Sequence, residues 1–317
     1  MPPGWAEGFS KSRRRPYYYH AQFKIQQWYP PPAVTPVASH YDSVAHKELR
    51  KEANRQTRET SANRGIRLYN NWVTTCLATR AEEAALSRGL LGDTCRLHIL
   101  DLAGGKGGGM GKWGHHGATV HQYTLVDISG ASVAAAYRRV PNMRWGRDTQ
   151  FIGMVMDIGT PSSWKCESPV HVVTCHFALN YFGNSPARLQ QVLRLARQNV
   201  VKGGTLLLTF ANWDTIAARV GDQEGWRNSL CDVHVTDRAR REYTFTLLPS
   251  VERCPEFGVT YPMLEAMAVG EGWTPCEFHA DITELPRDWV MKGCFPPSQL
   301  REERDISRLY GCAVFDA

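Results

Sequence analysis

Leu97-His-Ile-Leu-Asp-Leu-Ala-Gly-Gly-Lys-Gly-Gly-Gly109 joins a short apolar run to a string of glycines. The run Leu97–Leu102 has the length and composition of a buried strand. The turn behind it, Gly104 to Gly111, is a candidate ligand loop because it follows a strand directly. Glycine there permits positive φ and lets a bound nucleoside approach the backbone. No Gly-Lys-Ser/Thr closes the loop, so it is not a Walker loop. Gly104, Gly105, Gly107, Gly108, Gly109 and Gly111 are too dense to keep a clean dinucleotide spacing.

Working outward, strands and helices alternate. Tyr123–Ile128 reads as a second strand followed by a helix over Ala131–Arg139. Phe151–Met156 and Val170–Cys175 are further strand candidates, the latter followed by a helix from Ser185 to Val200. Gly203–Gly204 then turns the chain into Thr205–Phe210. The pattern predicts an α/β fold with an open, mostly parallel sheet and helices on both faces. Upstream, Ile66, Tyr69, Val73, Leu77 and Ala84 keep helix spacing within Lys47–Gly92. Beyond Asn212 a polar stretch, Gly221–Arg241, precedes extended pieces at Tyr243–Leu248 and Gly258–Tyr261. This last third is predicted to hold an insertion covering the site, with a closing strand at Gly311–Phe315. Residues 1–38, with Arg13 to Tyr19 and Pro30, Pro31, Pro32 and Pro36, read as a flexible basic, proline-rich arm, and 39–317 as the folded domain.

Two carboxylates stand where nucleotide-binding sheets place them. Asp127 ends the strand after the glycine loop, where an acid accepts from ribose hydroxyls. Asp157 ends the next, within reach of an adenine amino group. A dehydrogenase or another nucleotide-binding α/β enzyme would share these features, so spacing alone leaves them open.

Composition narrows the class. Hydrophobic residues at 43% and charged residues at 21% of 317 argue against disorder. The net charge of +6 mildly favours an anionic partner. Its cations gather early: Lys11, Arg13, Arg14 and Arg15, then Lys47, Arg50, Lys51, Arg55, Arg58, Arg64 and Arg67. No apolar run is long enough to cross a bilayer and no secretory segment opens the chain, so a soluble, intracellular protein is expected. Nine scattered cysteines without a CxxC pair suggest reduced, mostly buried thiols rather than a zinc or redox motif.

Several motifs follow in order from His40 to Phe315: His40-Tyr41, Arg67-Leu-Tyr-Asn-Asn-Trp-Val, the glycine loop with Lys112-Trp113, Val126-Asp-Ile-Ser and Cys175-His-Phe-Ala-Leu-Asn-Tyr-Phe. Arg241-Glu-Tyr-Thr-Phe-Thr-Leu-Leu, Cys254-Pro-Glu-Phe, Tyr261-Pro and Tyr310-Gly-Cys-Ala-Val-Phe complete the set. Together they resemble the mRNA cap guanine-N7 methyltransferase family.

The resemblance implies a class I, Rossmann-like methyltransferase fold with a cap-pocket insertion. It implies transfer of a methyl group from S-adenosylmethionine to N7 of the terminal guanosine of capped mRNA. Carried over, Ala103, Gly105, Asp127, Asp157, His176 and Tyr181 surround the cofactor. Asn70, Asn71, Lys106, Lys112, Arg139, Phe177, Asn180, Glu256 and Tyr310 surround the cap. Glu256 can accept from guanine N1 and its amino group, and Lys106, Lys112 and Arg139 suit the triphosphate. Phe177, Tyr181 and Tyr310 offer rings for stacking. Tyr181 and Glu256 are positioning groups; neither a catalytic acid or base nor a metal is expected. The implied partners are the capped 5' end and a guanylyltransferase or other capping subunit, without a membrane, and the implied location is the nucleus. Departures from the family pattern fall at Thr74 (usually lysine), Gly109 (usually aspartate), Asn180 (usually histidine) and Gly104 (usually cysteine). They keep a second reading open: a non-catalytic cap-binding or regulatory subunit on the same fold.

Overall fold

A computed structural model describes residues 1–35, 37–43, 61–146, 148–285 and 296–317. Lys47, Arg50, Lys51, Arg55 and Arg58 lie outside the described residues.

The alternation read from the sequence becomes one seven-stranded sheet. Its parallel part comprises β4 (Arg96–Leu102), β5 (Thr119–Asp127), β6 (Gln150–Val155), β7 (Val170–His176) and β8 (Val200–Ala211). At one edge β13 (Thr274–His279) and β14 (Tyr310–Asp316) run antiparallel, giving the order β13-β14-β8-β7-β4-β5-β6. From β4 the chain goes outward to β5 and β6, then returns to place β7 on β4's other side. The carboxyl ends of β4 and β7 therefore border the crevice where strand order reverses, the place where such sheets bind ligands.

Helices cover both faces. α1 (Arg64–Ser87) buries Tyr69, Val73 and Leu77 against one face, beside α2 (Gly130–Arg139) with Val133 and Ala136, while Ile66 at its start packs in a separate cluster with Ala211 and Ile216. The three- and four-residue spacing puts these side chains on one stripe. Ser129 caps α2, its Oγ accepting from Ser132 N–H at 3.0 Å. On the opposite face, α3 (Pro186–Asn199) contributes Leu189, Val192 and Leu193.

The last third departs from the expected boundaries. α4 (Trp213–Val220) and α5 (Tyr261–Gly270) are helices, the latter starting where an extended piece was expected. Pro262 near its start supplies the fixed φ that a first turn accepts. Within the polar stretch, β9 (Gly225–Arg227) and β10 (Cys231–Asp237) pair with β11 (Glu242–Leu247) and β12 (Val251–Phe257) into a four-stranded antiparallel sheet. Cys231, Val233, Tyr243, Phe245 and Cys254 are buried, while Asp232, His234 and Arg253 are exposed. That alternation is why the segment reads as polar. α6 (Arg301–Ser307) packs beside this sheet through Ile306. Gly203–Gly204 is a bend inside β8 rather than a turn before it.

Residues 1–38 were expected to be an arm without regular structure, and residues 5–27 are otherwise. β1 (Trp5–Ser10), β2 (Arg15–His20) and β3 (Ile25–Gln27) form an antiparallel meander. Gln27 locks it to the edge strand, donating to Val155 O at 3.0 Å and accepting from Val155 N–H at 2.9 Å. Ile25 is buried in the core shared with α1 and α2. Basic and proline-rich composition hid a two-sided sheet with one buried face.

Candidate nucleotide-binding site

Two residues without glycine's freedom take positive φ at the crevice: Ala103 (54°) after β4 and Phe177 (56°) after β7. Such backbone persists where neighbours fix it. Phe177 N–H is held by Thr209, by its carbonyl at 2.8 Å and its hydroxyl at 2.9 Å. Both residues line two cavities that meet there, together with His176.

The first cavity, about 560 Å³, contains all six residues assigned to the cofactor: Ala103, Gly105, Asp127, Asp157, His176 and Tyr181. Asp127 accepts from Gly105 N–H at 2.8 Å and Ser129 N–H at 2.9 Å, one through each oxygen. Each oxygen keeps a lone pair for a hydroxyl. Burial pushes its carboxyl up to about 6, against the pull of those two N–H groups. Asp157 accepts from Gly159 N–H at 2.9 Å and from both terminal nitrogens of Arg188 at 3.0 to 3.2 Å. Arg188, on α3, also lines the cavity and had no signal in the sequence, since its nearest motif residue, Phe182, lies six positions away. Burial drives the His176 imidazole down to about 3, with Lys112 adding to the effect, so it faces the cavity neutral.

The second cavity, about 320 Å³, is lined by Asn70, Asn71, Thr74, Asp101, Lys112 and Phe177 among others. The Lys112 ammonium donates to Thr74 Oγ1. Burial lowers Lys112 to about 8, opposed by the Asp101 carboxylate. Asp101 is itself held by Tyr123 Oη at 2.6 Å and Thr174 Oγ1 at 2.9 Å. At Gly109 an added Cβ would lie 3.0 Å from Tyr123 Oη and 3.3 Å from Asp101 Oδ2. A larger residue would crowd that pair. So the wall at Thr74 and Gly109 keeps a cation and a carboxylate, supplied by Lys112 and Asp101.

Glu256 lies behind Tyr181, 3% exposed. It accepts from Tyr243 Oη at 2.9 Å and Tyr181 Oη at 3.2 Å, and Tyr181 hydrogen-bonds in turn to Tyr41 from the 37–43 helical turn. Burial pushes Glu256 up to about 7, against those tyrosines and Asn180. Asn180 Oδ1 and Asn70 Oδ1 are buried acceptors without a partner among the described residues. Tyr310, at the start of β14, meets Phe177 edge-on at 5.4 Å. Asn180, Glu256 and Tyr310 line neither cavity themselves but lie behind Tyr181, Pro255 and Phe257 or Phe177, which do; Lys106 and Arg139, assigned to the triphosphate, are half-buried and also line neither.

Comparison with known proteins fixes the family. A model described as the mRNA (guanine-N(7))-methyltransferase domain matches residues 34–273. The chain belongs to this family. Among its curated relatives are the mRNA cap guanine-N(7) methyltransferases of Aspergillus niger and Schizosaccharomyces pombe. The first is 26% identical over 74% of this chain and 42% of that protein. The second is 24% identical over 71% and 64%. The chain thus spans about two fifths of the length of the Aspergillus relative. In fold it is similar to the magnesium protoporphyrin IX methyltransferase of Synechocystis PCC 6803, crystallised with bound S-adenosylmethionine. That likeness has a TM-score of 0.50, 11% identity, and coverage of 88% of this chain and 93% of that one.

As a guanine-N7 methyltransferase domain, the chain has the class I arrangement, with its insertion at β9–β12. Among the described residues no His, Cys, Asp and Glu cluster could hold a metal, and no helix is long and apolar enough to cross a membrane. The eight described cysteines are free.

Proposed function

We propose that this domain methylates N7 of the terminal guanosine of capped mRNA with S-adenosylmethionine. The observation that carries the reading is the gathering of Ala103, Gly105, Asp127, Asp157, His176 and Tyr181 around one cavity at the switch point. A second cavity of opposite-charge lining adjoins it.

The cofactor is an adenosine and a zwitterionic amino acid joined through sulfur. Its nucleoside fits the first cavity, with Asp127 accepting from ribose hydroxyls and Asp157 facing the adenine. Its amino-acid end fits the second, where Asp101 and Lys112 present complementary charges. This moves Lys112 from the triphosphate, where the sequence put it, to the cofactor. The sulfonium then sits at the junction of Ala103, His176 and Phe177. Guanine approaches from the side of Tyr181, Asn180, Glu256 and Tyr310. Glu256 and the unpaired Asn180 acceptor suit the N1 and amino donors of guanine, which adenine lacks in that arrangement.

N7 attacks with its own lone pair. The new bond forms to the methyl carbon while the carbon–sulfur electrons return to sulfur, so no proton need be moved. What the protein supplies is alignment, and negative potential from Glu256 as guanine becomes cationic. A role in mRNA processing supports, as part of this proposal, work in the nucleus beside a guanylyltransferase or another capping subunit.

The test is transfer of label from S-adenosylmethionine to GpppG-capped RNA, beside uncapped and ApppG-capped controls. Label in the capped guanine alone is the expected outcome. Cofactor binding without transfer would leave a cap-binding subunit instead.

A further inference from the structure

The insertion sheet β9–β12 has two faces, and Glu256 and Tyr243 belong to the inner one, which packs on α4 and α6. By register the outer face sets Arg227 opposite Asp232, with Thr246 beyond it, and His234 opposite Thr244. These residues line a third cavity together with Arg219, Gln223 and Arg253. At about 620 Å³ it is larger than the cavity assigned to the cofactor. None of its lining residues takes part in the proposed reaction.

The backbone brings cations into this groove. Register shifts between Phe245 and Leu247, so that Glu252 and Arg253 of β12 stand opposite the single Thr246 of β11. Arg253 takes φ 45° in this bulge, and its N–H donates to Thr246 Oγ1 at 3.0 Å. A bulge re-aims a side chain, and here Arg253 lines the groove while Glu252 does not. At the far strand, a Cβ on Gly225 would lie 2.4 Å from the Val233 carbonyl, so glycine is what lets β9 close on β10 and carry Arg227 in.

Charge on these walls is one-sided. Arg219 is engaged, pairing with Asp305 at 2.9 Å and lying over the Trp226 ring at 4.8 Å. Arg227 and Arg253 are exposed and make no ion pair with any described residue, and Asp232 is the one acid in the lining. Free guanidinium groups beside the Thr244 and Thr246 hydroxyls are donors for phosphate oxygens. Trp226 is no platform for a base, since Arg219 covers it and its ring packs against the inner cluster. Contacts to phosphate alone hold any sequence, as a domain acting on many transcripts requires.

Position favours the substrate as the occupant. Pro255 lies two residues beyond Arg253, and both are exposed on β12 while Cys254 between them is buried. Pro255 lines the cofactor cavity, and its cross-strand partner Thr244 lines the groove. The two sites are thus one pleat apart, about 7 Å along the strand.

We propose that this groove binds the sugar-phosphate backbone of the transcript behind the cap, so that the domain favours capped RNA over the bare cap dinucleotide, an assignment that rests on the cap-methylation reading.

The test compares methylation of GpppG with that of an unstructured GpppG-capped oligoribonucleotide, using the full chain. Fluorescence anisotropy of the uncapped oligoribonucleotide gives a readout independent of transfer. At low salt KM for the capped oligoribonucleotide is expected about tenfold below that for GpppG. Arg227→Gln combined with Arg253→Gln should erase that advantage and leave kcat, KM for GpppG and the melting temperature unchanged. The log–log salt slope of RNA binding should flatten by about 1.4 in the double variant, at about 0.7 for each lost phosphate contact. Equal KM for both substrates in the parent overturns the proposal, as does a double variant whose RNA affinity and salt slope match the parent's. Polyglutamate binding as tightly as the RNA, and lost in the same variant, would give the groove to an acidic protein segment instead. A parent that binds RNA through these two arginines and transfers no methyl group would keep the groove and sink the cap-methylation reading.

Discussion

The two walls of the cleft are built differently. The strand-end wall is backbone-organised: Asp127 and Asp157 are each fixed by an N–H two residues on, Asp127 also by Gly105 N–H from the loop after the neighbouring strand, and Ala103 and Phe177 take positive φ at the strand ends. The insertion wall is organised by side chains from distant parts of the chain. Glu256 depends on Tyr181, 75 residues away, and Tyr181 on Tyr41, 140 residues away. A wall fixed by backbone tolerates the loss of one side chain; a buried hydrogen-bond chain does not.

The largest effect should therefore follow Glu256→Ala. Removing this carboxylate strands the Tyr243 and Tyr181 hydroxyls and takes away the acceptor for guanine, at roughly 3 kcal/mol. That corresponds to about a hundredfold loss of kcat/KM for GpppG-capped RNA. S-adenosylmethionine affinity, measured by calorimetry, should stay within about twofold. Equal loss of both would show that the walls are one unit. On the other wall, Asp127→Ala should weaken cofactor binding about thirtyfold, the size of lost charge-assisted hydrogen bonds. Its effect on kcat at saturating cofactor should be small. A variant that binds cofactor normally but no longer discriminates GpppG from ApppG would reverse the two roles.

The same division explains what could be read in the sequence. β4, β5, β6 and β7 were legible because each is a continuous apolar run ended by a turn, and Asp127 and Asp157 because they sit at strand ends. Every cofactor assignment falls on one cavity for that reason. The insertion was legible only as motifs. β9 and β10 hide in a polar stretch because one face is wet, and α5 begins at Tyr261-Pro, which resembles a turn. Arg188 could not be found, since its meaning comes from α3 lying under the loop after β6. Lys112 was found from its motif and given to the triphosphate; its ammonium at Thr74, seen only in the structure, is what favours the cofactor's amino-acid end in the proposal above. Lys106 and Arg139 are basic residues in motif context that the fold keeps off both cavity walls.

Acidity offers a sharper separation. Guanine recognition needs Glu256 ionised, and its carboxyl is raised to about 7 by burial. At saturating cofactor, kcat/KM for capped RNA should fall about tenfold per unit below that value. Cofactor affinity should hold until pH approaches 6, where Asp127 protonates. For stability the sign is opposite. Both carboxyls bind protons more tightly folded than unfolded, so their contribution is greatest below the unfolded values and is lost as pH rises through about 6 and about 7. Thermal melts should show Glu256→Gln losing the part of that decline nearest 7. A single transition shared by binding and transfer would merge the walls.

The smallest expected effect is at Arg188, and it tests the backbone claim directly. Its guanidinium engages both Asp157 oxygens, but its side chain is 31% exposed, which screens the pair. Gly159 N–H remains to orient the carboxylate when the arginine is gone. Arg188→Met should thus cost about 1 kcal/mol, or about fivefold in S-adenosylmethionine affinity, with KM for capped RNA unchanged. A loss approaching that of Asp127→Ala would mean that Asp157 is positioned by a side chain reaching across from α3. The strand-end wall would then be as dependent on distant partners as the wall that holds Glu256.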